Sequence, residues 1–175
     1  MAGRNIFLFQ YGSNMDPKRL NSPDRLAGVA HEIGAASLEH WGIRFDLYSA
    51  ENEYGVTDIV PTAREKVLGA LYEVPYRSVI ARRGQRSTMD IFEGARRGRL
   101  SNYKRQKILV RRNGKNVEAR TYLGTAVGRK RFLRQSPEDR RVSKDYFKYL
   151  LAGARQFEFP QSYVTYLRRQ AGKLK

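Results

Sequence analysis

Short apolar runs separated by turn signals occur along most of the chain. The first run covers residues 6–9, contains two aromatic side chains and predicts a buried strand. It stops at Tyr11-Gly12-Ser13-Asn14, and Asp16-Pro17 then supplies a cap residue followed by proline at a first helical position. The pattern therefore predicts a strand, a tight glycine turn and a helix start, in that order.

Further runs predict a sheet built from strands that follow one another along the chain. The expected strands cover residues 29–38, 41–48, 56–60, 67–74, 102–112 and 115–123. Pro61 would end the third of these strands, and Pro75 the fourth. Asn113-Gly114 separates the last two, and this dipeptide between two strand-like runs is a strong signal for a β-hairpin.

Helices are predicted in fewer places. We expect them over residues 78–83, over 88–93, directly after Ser143 and over 161–171. Ser78, Ser87 and Ser143 are suitable N-cap residues, and Gly94 would end the second helix. The polar, basic segment from Gly124 to Arg141 predicts a long surface loop.

These elements favour an α+β fold. Strands outnumber helices and adjoin one another, whereas the regular strand–helix alternation of parallel α/β proteins is absent. We therefore predict a small, closed, mainly antiparallel β-barrel with flanking helices, because closure would hide long apolar strand edges. A chain of 175 residues suits a single domain over 1–175, with a core at about 5–167 and a basic C-terminal tail.

The charge balance narrows the classes of partner. There are 34 Lys and Arg residues against 17 Asp and Glu, a net charge of +17 that would attract polyanions or acidic small substrates. The basic residues are scattered in pairs, and no zinc-finger, helix-turn-helix or RNA-recognition pattern accompanies them. Nucleic-acid binding is therefore not the favoured function, although the charge keeps it open.

Composition also limits location and cofactors. The chain has no cysteine, hence no disulfide, thiolate metal site or cysteine nucleophile. No apolar run approaches the ~20 residues that span a bilayer, and no secretory signal is visible, so we expect a cytoplasmic protein that does not bind membranes. His31 and His40 lack acidic partners at metal-binding spacing, and no metal site is expected.

Three motifs occur in the order typical of one family. They are Phe9-Gln10-Tyr11-Gly12-Ser13-Asn14-Met15, then Met89-Asp90-Ile91-Phe92-Glu93-Gly94, and then Ser143-Lys144-Asp145-Tyr146 leading into Leu150-Leu151-Ala152-Gly153-Ala154 with Pro160 after it. In these motifs the chain resembles the γ-glutamylcyclotransferase-like (AIG2-like) family, over about residues 6–167. The small closed barrel of that family agrees with the fold predicted above.

The resemblance implies an enzyme that converts a γ-glutamyl amide or peptide to 5-oxoproline and a free amine. The α-amine of the substrate attacks its own γ-carbonyl group, and one carboxylate could move a proton from the attacking nitrogen to the leaving one. Glu93 matches the catalytic position, and apolar Ile91 and Phe92 beside it would raise its pKa. Asp90 is the competing carboxylate. The reaction requires no cofactor.

The resemblance also implies a substrate site, at Tyr11, Gly12, Ser13, Asn14 and Tyr146. Backbone N–H groups of the turn would bind the substrate α-carboxylate or the developing oxyanion. Ser13 and Asn14 could instead cap the next helix, and Tyr146 could be an ordinary half-buried helix residue. Tyr103 and Tyr122 are weaker candidates on the predicted hairpin.

Other interpretations stay open. Glu93 could be a helix-end glutamate paired with Arg96 or Arg97, whose guanidinium group would lower its pKa and weaken it as a base. The same site could act on another γ-glutamylated molecule, or the chain could be a non-catalytic module that binds polyanions. Loops 77–86 and 124–141 are expected to face the leaving portion, and their charge suggests that this portion is acidic.

Overall fold

The computed structural model describes residues 4–50, 53–95 and 101–173. Within these ranges the chain forms five strands, a short 3-10 turn and six helices. The strands are β1 (Asn5–Gln10), β2 (His31–Ser49), β3 (Tyr54–Pro75), β4 (Tyr103–Arg112) and β5 (Lys115–Gly124). The 3-10 turn is Ser13–Met15, and the helices are α1 (Pro17–Leu20), α2 (Tyr76–Val79), α3 (Thr88–Phe92), α4 (Ala126–Leu133), α5 (Lys144–Gln156) and α6 (Gln161–Gly172).

The five strands form a closed ring in the order β1-β3-β2-β4-β5. Neighbouring strands run antiparallel. The exception is the contact of β1 with β5, which run parallel and pair at Leu8 and Arg120. The predicted α+β fold, with a closed and mainly antiparallel sheet and flanking helices, is confirmed.

Strands β2 and β3 are much longer than predicted. The four short strands expected between residues 29 and 74 are two strands of 19 and 22 residues. Pro61 does not end a strand: it lies opposite Trp41, directly beyond a register shift in β2. Irregular pairing tolerates proline there, because its missing N–H group removes no regular ladder bond.

The hairpin predicted at Asn113-Gly114 is confirmed. Arg112 pairs with Lys115, which leaves a two-residue turn between β4 and β5. Asn113 and Gly114 have φ angles of 48° and 74°. Positive φ at both central positions is what the favoured two-residue hairpin turn requires, and Asn-Gly adopts it readily.

Two helix caps follow the prediction. The Ser87 side chain accepts a hydrogen bond from the Asp90 N–H group, and the Asp90 side chain accepts one in return from the Ser87 N–H group. The Ser143 side chain accepts from the Tyr146 N–H group. These caps start α3 and α5, the helices that carry Glu93 and Tyr146 into the structure.

Two helix predictions are wrong. α2 follows Pro75 directly and ends at Val79, so Ser78 lies inside this helix and does not cap it. The segment predicted as a long loop contains α4, which Thr125 caps. Gly128 and Phe132 are the buried residues of α4, too few to give the sequence a helical apolar period. None of the helices in the described ranges is both long and apolar enough to cross a membrane.

Helix α5 packs closely on the 3-10 turn that follows β1. Leu150 and Ala154 of this helix are buried in the core. A Cβ atom added at Gly153 would lie 2.5 Å from the Met15 Cβ atom and 2.9 Å from its carbonyl carbon. The absence of a side chain at Gly153 therefore allows the helix to hold the turn in place.

We expect Gly153→Ala to lower the free energy of unfolding by about 1–3 kcal/mol, because backbone atoms of Met15 would have to move. Gly172→Ala is a matched control, because a Cβ atom there meets open space, and it should raise stability by up to about 1 kcal/mol. Urea unfolding of both variants measures the difference. Equal effects would contradict close packing at Gly153.

Candidate active site

Two adjoining cavities lie where the 3-10 turn, α3, α5 and the joined end of β2 and β3 meet. We call the larger one, of about 240 Å³, the outer cavity, and the smaller one, of about 40 Å³, the inner cavity. Five residues line both: Ser13, Asn14, Glu93, Tyr103 and Tyr146. The inner cavity is completed by Gln10, Tyr11, Gly12, Thr57 and Tyr122.

Glu93 lies at the C-terminal end of α3, half-buried between the cavities. Its Oε1 atom accepts a hydrogen bond of 2.9 Å from the Asn14 side-chain amide. Burial raises the pKa of the Glu93 carboxyl group, whereas the Asn14 hydrogen bond and the charges of Arg25 and Arg19 oppose the rise. The carboxyl group is thus a weakly solvated proton acceptor at the junction of the two cavities.

Asn14 is buried and lies in the 3-10 turn, which the Met15 N–H group closes by donating to the Gly12 carbonyl oxygen. Its side-chain nitrogen donates to Glu93, but its Oδ1 atom is buried without a hydrogen-bond partner among the described residues. A buried acceptor without a partner is costly unless a ligand supplies a donor. Gln10 Nε2 is a second buried polar atom without a hydrogen-bond partner among the described residues, and the Gln10 side chain also opposes the rise in the pKa of Glu93.

Gly12 is where β1, β3 and α5 meet. A Cβ atom at Gly12 would lie 2.6 Å from Thr57 Oγ1 and 3.3 Å from the Tyr146 hydroxyl oxygen. That hydroxyl accepts a hydrogen bond of 3.1 Å from the Thr57 N–H group and shares another, of 2.7 Å, with Thr57 Oγ1. Burial raises the pKa of Tyr146 to about 12, so its hydroxyl group is protonated at neutral pH.

The remaining predicted residues also face this site. Ser13 begins the 3-10 turn and lines both cavities. Tyr11 lines the inner cavity, and its hydroxyl group donates to the Tyr122 carbonyl oxygen. Tyr103 lines both cavities and donates to the Thr57 carbonyl oxygen. The fold thus brings Glu93 and every predicted substrate-binding residue to one site, while their roles stay predictions.

Asp90, the competing carboxylate, is engaged elsewhere and lines neither cavity. It forms an ion pair of 2.7 Å with Arg105 and accepts a hydrogen bond of 2.9 Å from the Tyr122 hydroxyl group. It also closes the capping box of α3 with Ser87. These contacts favour a structural role for Asp90.

The cationic neighbours of Glu93 differ from those considered from the sequence. Arg96 and Arg97 lie outside the described residues. Arg19 and Arg25 line the outer cavity, and their charges act on Glu93. The sequence does not indicate them, because only the folded chain brings α1, which contains Arg19, and the segment after it, which contains Arg25, to the end of α3.

The predicted cavity wall is also corrected. None of the residues lining the two cavities described above comes from 77–86 or 124–141. Besides the two arginines and the five residues shared with the inner cavity, the outer cavity is lined by Tyr48, Ser49, Ala50, Tyr54, Val56, Ile91, Phe92, Gly94 and Asn102. His31 and His40 are exposed on β2, and no cluster of metal-binding side chains occurs within residues 4–50, 53–95 and 101–173.

The sequence of residues 66–167 matches the model of the AIG2-like family. The chain belongs to the AIG2-like family. The matched segment of this AIG2-like chain includes Glu93 and Tyr146. The turn at Tyr11–Asn14 precedes the segment, and the hydrogen bond from Asn14 to Glu93 joins the two in the folded chain. A search of curated proteins found no match.

Solved structures show the same fold at low sequence identity. A γ-glutamyl cyclotransferase is 20% identical with a TM-score of 0.72, covering 94% of this chain and 87% of that one. An uncharacterized human protein is 21% identical with a TM-score of 0.72, covering 94% and 86%. A yeast γ-glutamyl cyclotransferase specific to glutathione is 14% identical with a TM-score of 0.57, covering 97% and 99%. The AIG2-like chain therefore has the γ-glutamyl cyclotransferase fold.

The raised pKa of Glu93 predicts a pH-dependent cost to stability. Below the unfolded-state pKa the carboxyl group is protonated in both states and the cost is absent; it grows as pH rises through the higher folded-state pKa. Glu93→Gln has no ionisable group there and can still accept from Asn14. Its stability relative to wild type should increase from about pH 4 to about pH 8, measured by urea unfolding. A difference that falls with pH would contradict the raised pKa.

Proposed function

We propose that this AIG2-like protein is a γ-glutamyl cyclotransferase-like enzyme that converts a γ-glutamyl amide to 5-oxoproline and a free amine. The observation that carries the proposal is the Glu93 carboxyl group, partly desolvated and hydrogen-bonded to Asn14 at the junction of the two cavities. Family membership and the shared fold support the same reaction class.

The site contains acceptors for the reacting amine. In the proposed complex the substrate α-ammonium group donates hydrogen bonds to Asn14 Oδ1, which has no partner among the described residues, and to the Glu93 carboxylate. Glu93 removes a proton, and the α-nitrogen attacks the γ-carbonyl carbon. The bond to the leaving nitrogen then breaks as Glu93 returns the proton to it. The ring nitrogen also loses the second proton that it carries after the attack, and the released amine takes this proton up and leaves as its ammonium form, so atoms and charge balance without a further reactant.

The same site also offers hydrogen-bond donors. The Tyr146 hydroxyl group stays protonated at neutral pH, and Ser13 and Asn14, whose backbone N–H groups are further donors, line both cavities together with Tyr146. We assign the substrate α-carboxylate or the developing oxyanion to these donors, as expected for Tyr11, Gly12, Ser13 and Asn14. Since the attack is intramolecular, holding the substrate in a folded conformation supplies much of the acceleration.

The net charge of +17 supports one alternative, a basic module that binds polyanions without catalysis. Such binding would weaken with salt and would be unaffected by loss of Glu93. The γ-glutamyl amide could also be a γ-glutamylamine or another tailored metabolite, since the reaction at the glutamyl group is the same.

We expect Glu93→Gln to reduce 5-oxoproline release by about 10²–10⁴-fold, the range typical of general acid–base catalysis. The measurement is kcat on a panel of γ-glutamyl amino acids, γ-glutamylamines and glutathione, with circular dichroism to verify folding.

Asp90→Asn is the matched carboxylate-to-amide control on the same helix. Because Asp90 pairs with Arg105 outside the cavities, this variant should lose stability while keeping most of its kcat. Equal release by wild type and Glu93→Gln would exclude Glu93 as the base. No release from any member of the panel would exclude the proposed reaction for these substrates.

A further inference from the structure

We propose that a basic groove around Tyr76 binds single-stranded nucleic acid. Two adjoining cavities that meet at Tyr76 form this groove, which we call the Tyr76 groove. Among the described residues, none lines both this groove and the cavities beside Glu93. The inference therefore concerns a second site and goes beyond the proposed cyclotransferase reaction.

Three segments of the chain form the Tyr76 groove. The first cavity, of about 610 Å³, is lined by α2, α3 and the segment between them, with Arg77, Arg82 and Arg86. The second, of about 300 Å³, lies where β1 and β5 run side by side, with Arg4 and Arg120. Both volumes are within the range of about 300–1,000 Å³ that is typical of ligand sites. The groove thus has room for more than one unit of a chain-like ligand.

Positive charge dominates the lining of the groove. Its five arginines are accompanied by one carboxylate among the described residues, Glu118. Glu118 already forms ion pairs of 2.6 Å with Lys107 and 3.3 Å with Arg120. In the described part of the chain none of the other four arginines forms an ion pair, and all four are exposed. Arg86 donates a hydrogen bond to the Asp90 carbonyl oxygen, which carries no net charge to balance it. Exposed guanidinium groups without a carboxylate partner suit phosphate groups, which they can bind with two parallel hydrogen bonds.

Tyr76 adds an aromatic surface to this charge. Its side chain stays 38% exposed. The Arg4 guanidinium group lies 5.3 Å from the centre of its ring, and the Tyr76 N–H group donates to the Arg4 carbonyl oxygen. Surfaces of this kind bind single-stranded nucleic acid, because bases stack on aromatic rings while phosphates contact the cations.

The positions of the arginines favour a strand over a single phosphate group. Each of the two cavities that meet at Tyr76 contains arginines. A base stacked on the Tyr76 ring would therefore have cations near the phosphates that precede and follow it. An acidic peptide could bind the same guanidinium groups, but its carboxylates would make no use of the exposed ring. The ring therefore favours nucleic acid as the ligand.

A second exposed tyrosine shows that the combination of ring and charge matters. Tyr149 is also 38% exposed, and the Arg19 guanidinium group lies 4.3 Å from the centre of its ring. The cavity at Tyr149, however, is lined by the carboxylates of Asp16 and Asp24 as well as by basic residues. The Tyr76 groove differs from it in its unbalanced charge, and Tyr149 provides a matched control.

Tertiary structure explains why the sequence does not indicate this surface. The basic residues are scattered along the chain, and no nucleic-acid-binding motif accompanies them. In the folded chain Arg4, Arg120 and the segment from α2 to α3 line one groove, although they are far apart in sequence. Folding thus converts scattered charges into a local site.

Direct binding of a single strand is the first test. We expect a fluorescent oligo(dT) of about 10 nucleotides, within the site sizes typical of such surfaces, to bind at low salt. Tyr76→Ala should weaken this binding by about 5–100-fold, as expected for the loss of one base–aromatic stack, whereas Tyr76→Phe should preserve it. Tyr149→Ala should also preserve it. Fluorescence anisotropy measures the Kd, and circular dichroism verifies that every variant is folded.

Salt dependence tests the arginines. The double variant Arg77→Gln/Arg82→Gln should reduce the slope of log K against log salt concentration by about 0.7 for each phosphate contact that is lost. Arg134→Gln/Arg168→Gln removes the same charge from exposed positions outside the groove and should leave the slope nearly unchanged.

Several outcomes would overturn the inference. Absence of binding at low salt would do so, as would an equal loss of affinity in Tyr76→Ala and Tyr149→Ala. A DNA duplex that binds as tightly as the single strand, or poly-L-glutamate that displaces the strand at equal charge concentration, would indicate a surface for polyanions in general and would also overturn it. Binding of oligo(U), of oligo(dT) or of both sustains the inference and identifies the kind of strand. These measurements contain no γ-glutamyl substrate, so their outcome is independent of the proposed reaction.

Discussion

The site depends on the close approach of three elements at Gly12. Because Gly12 has no side chain, Thr57 of β3 and Tyr146 of α5 reach the backbone at the end of β1. Their hydroxyl groups hydrogen-bond to each other there, so the helix is attached to the sheet at the rim of the inner cavity. A larger residue at Gly12 would separate these elements, and Asn14 would no longer be held beside Glu93.

Glu93 is subject to two opposing effects. Burial favours its neutral form, while the hydrogen bond from Asn14 and the charges of Arg19 and Arg25 favour the carboxylate. A general base needs both effects. Burial alone would keep the carboxyl group protonated, whereas strong pairing with cations would lower its pKa until it became too weak a base. The balance distinguishes Glu93 from Asp90, whose contacts with Arg105 and Tyr122 occupy its oxygen atoms.

Local signals made part of this structure predictable. Asn113-Gly114 and the caps at Ser87 and Ser143 act within a few residues, and they lie where the sequence indicated. The prediction that Pro61 ends a strand was wrong because β2 has a register shift beside the residue that pairs with Pro61. Such a shift arises from pairing between strands and is not visible in the local sequence. From the sequence motifs we could predict that Glu93 and the turn belong to one site. Arg19 could not be predicted, because tertiary packing alone places it there and the apolar periodicity of the sequence carries no information on such packing.

The parallel contact of β1 with β5 has a consequence for the order of folding. β2 with β3, and β4 with β5, are hairpins that close short loops, but β1 meets β5 across most of the chain. Contacts between distant segments carry the largest loop-closure entropy and are expected to form late. The turn that holds Asn14 follows β1 directly, so the site is completed only when the ring closes. Ligand binding would then occur only in molecules that have finished folding.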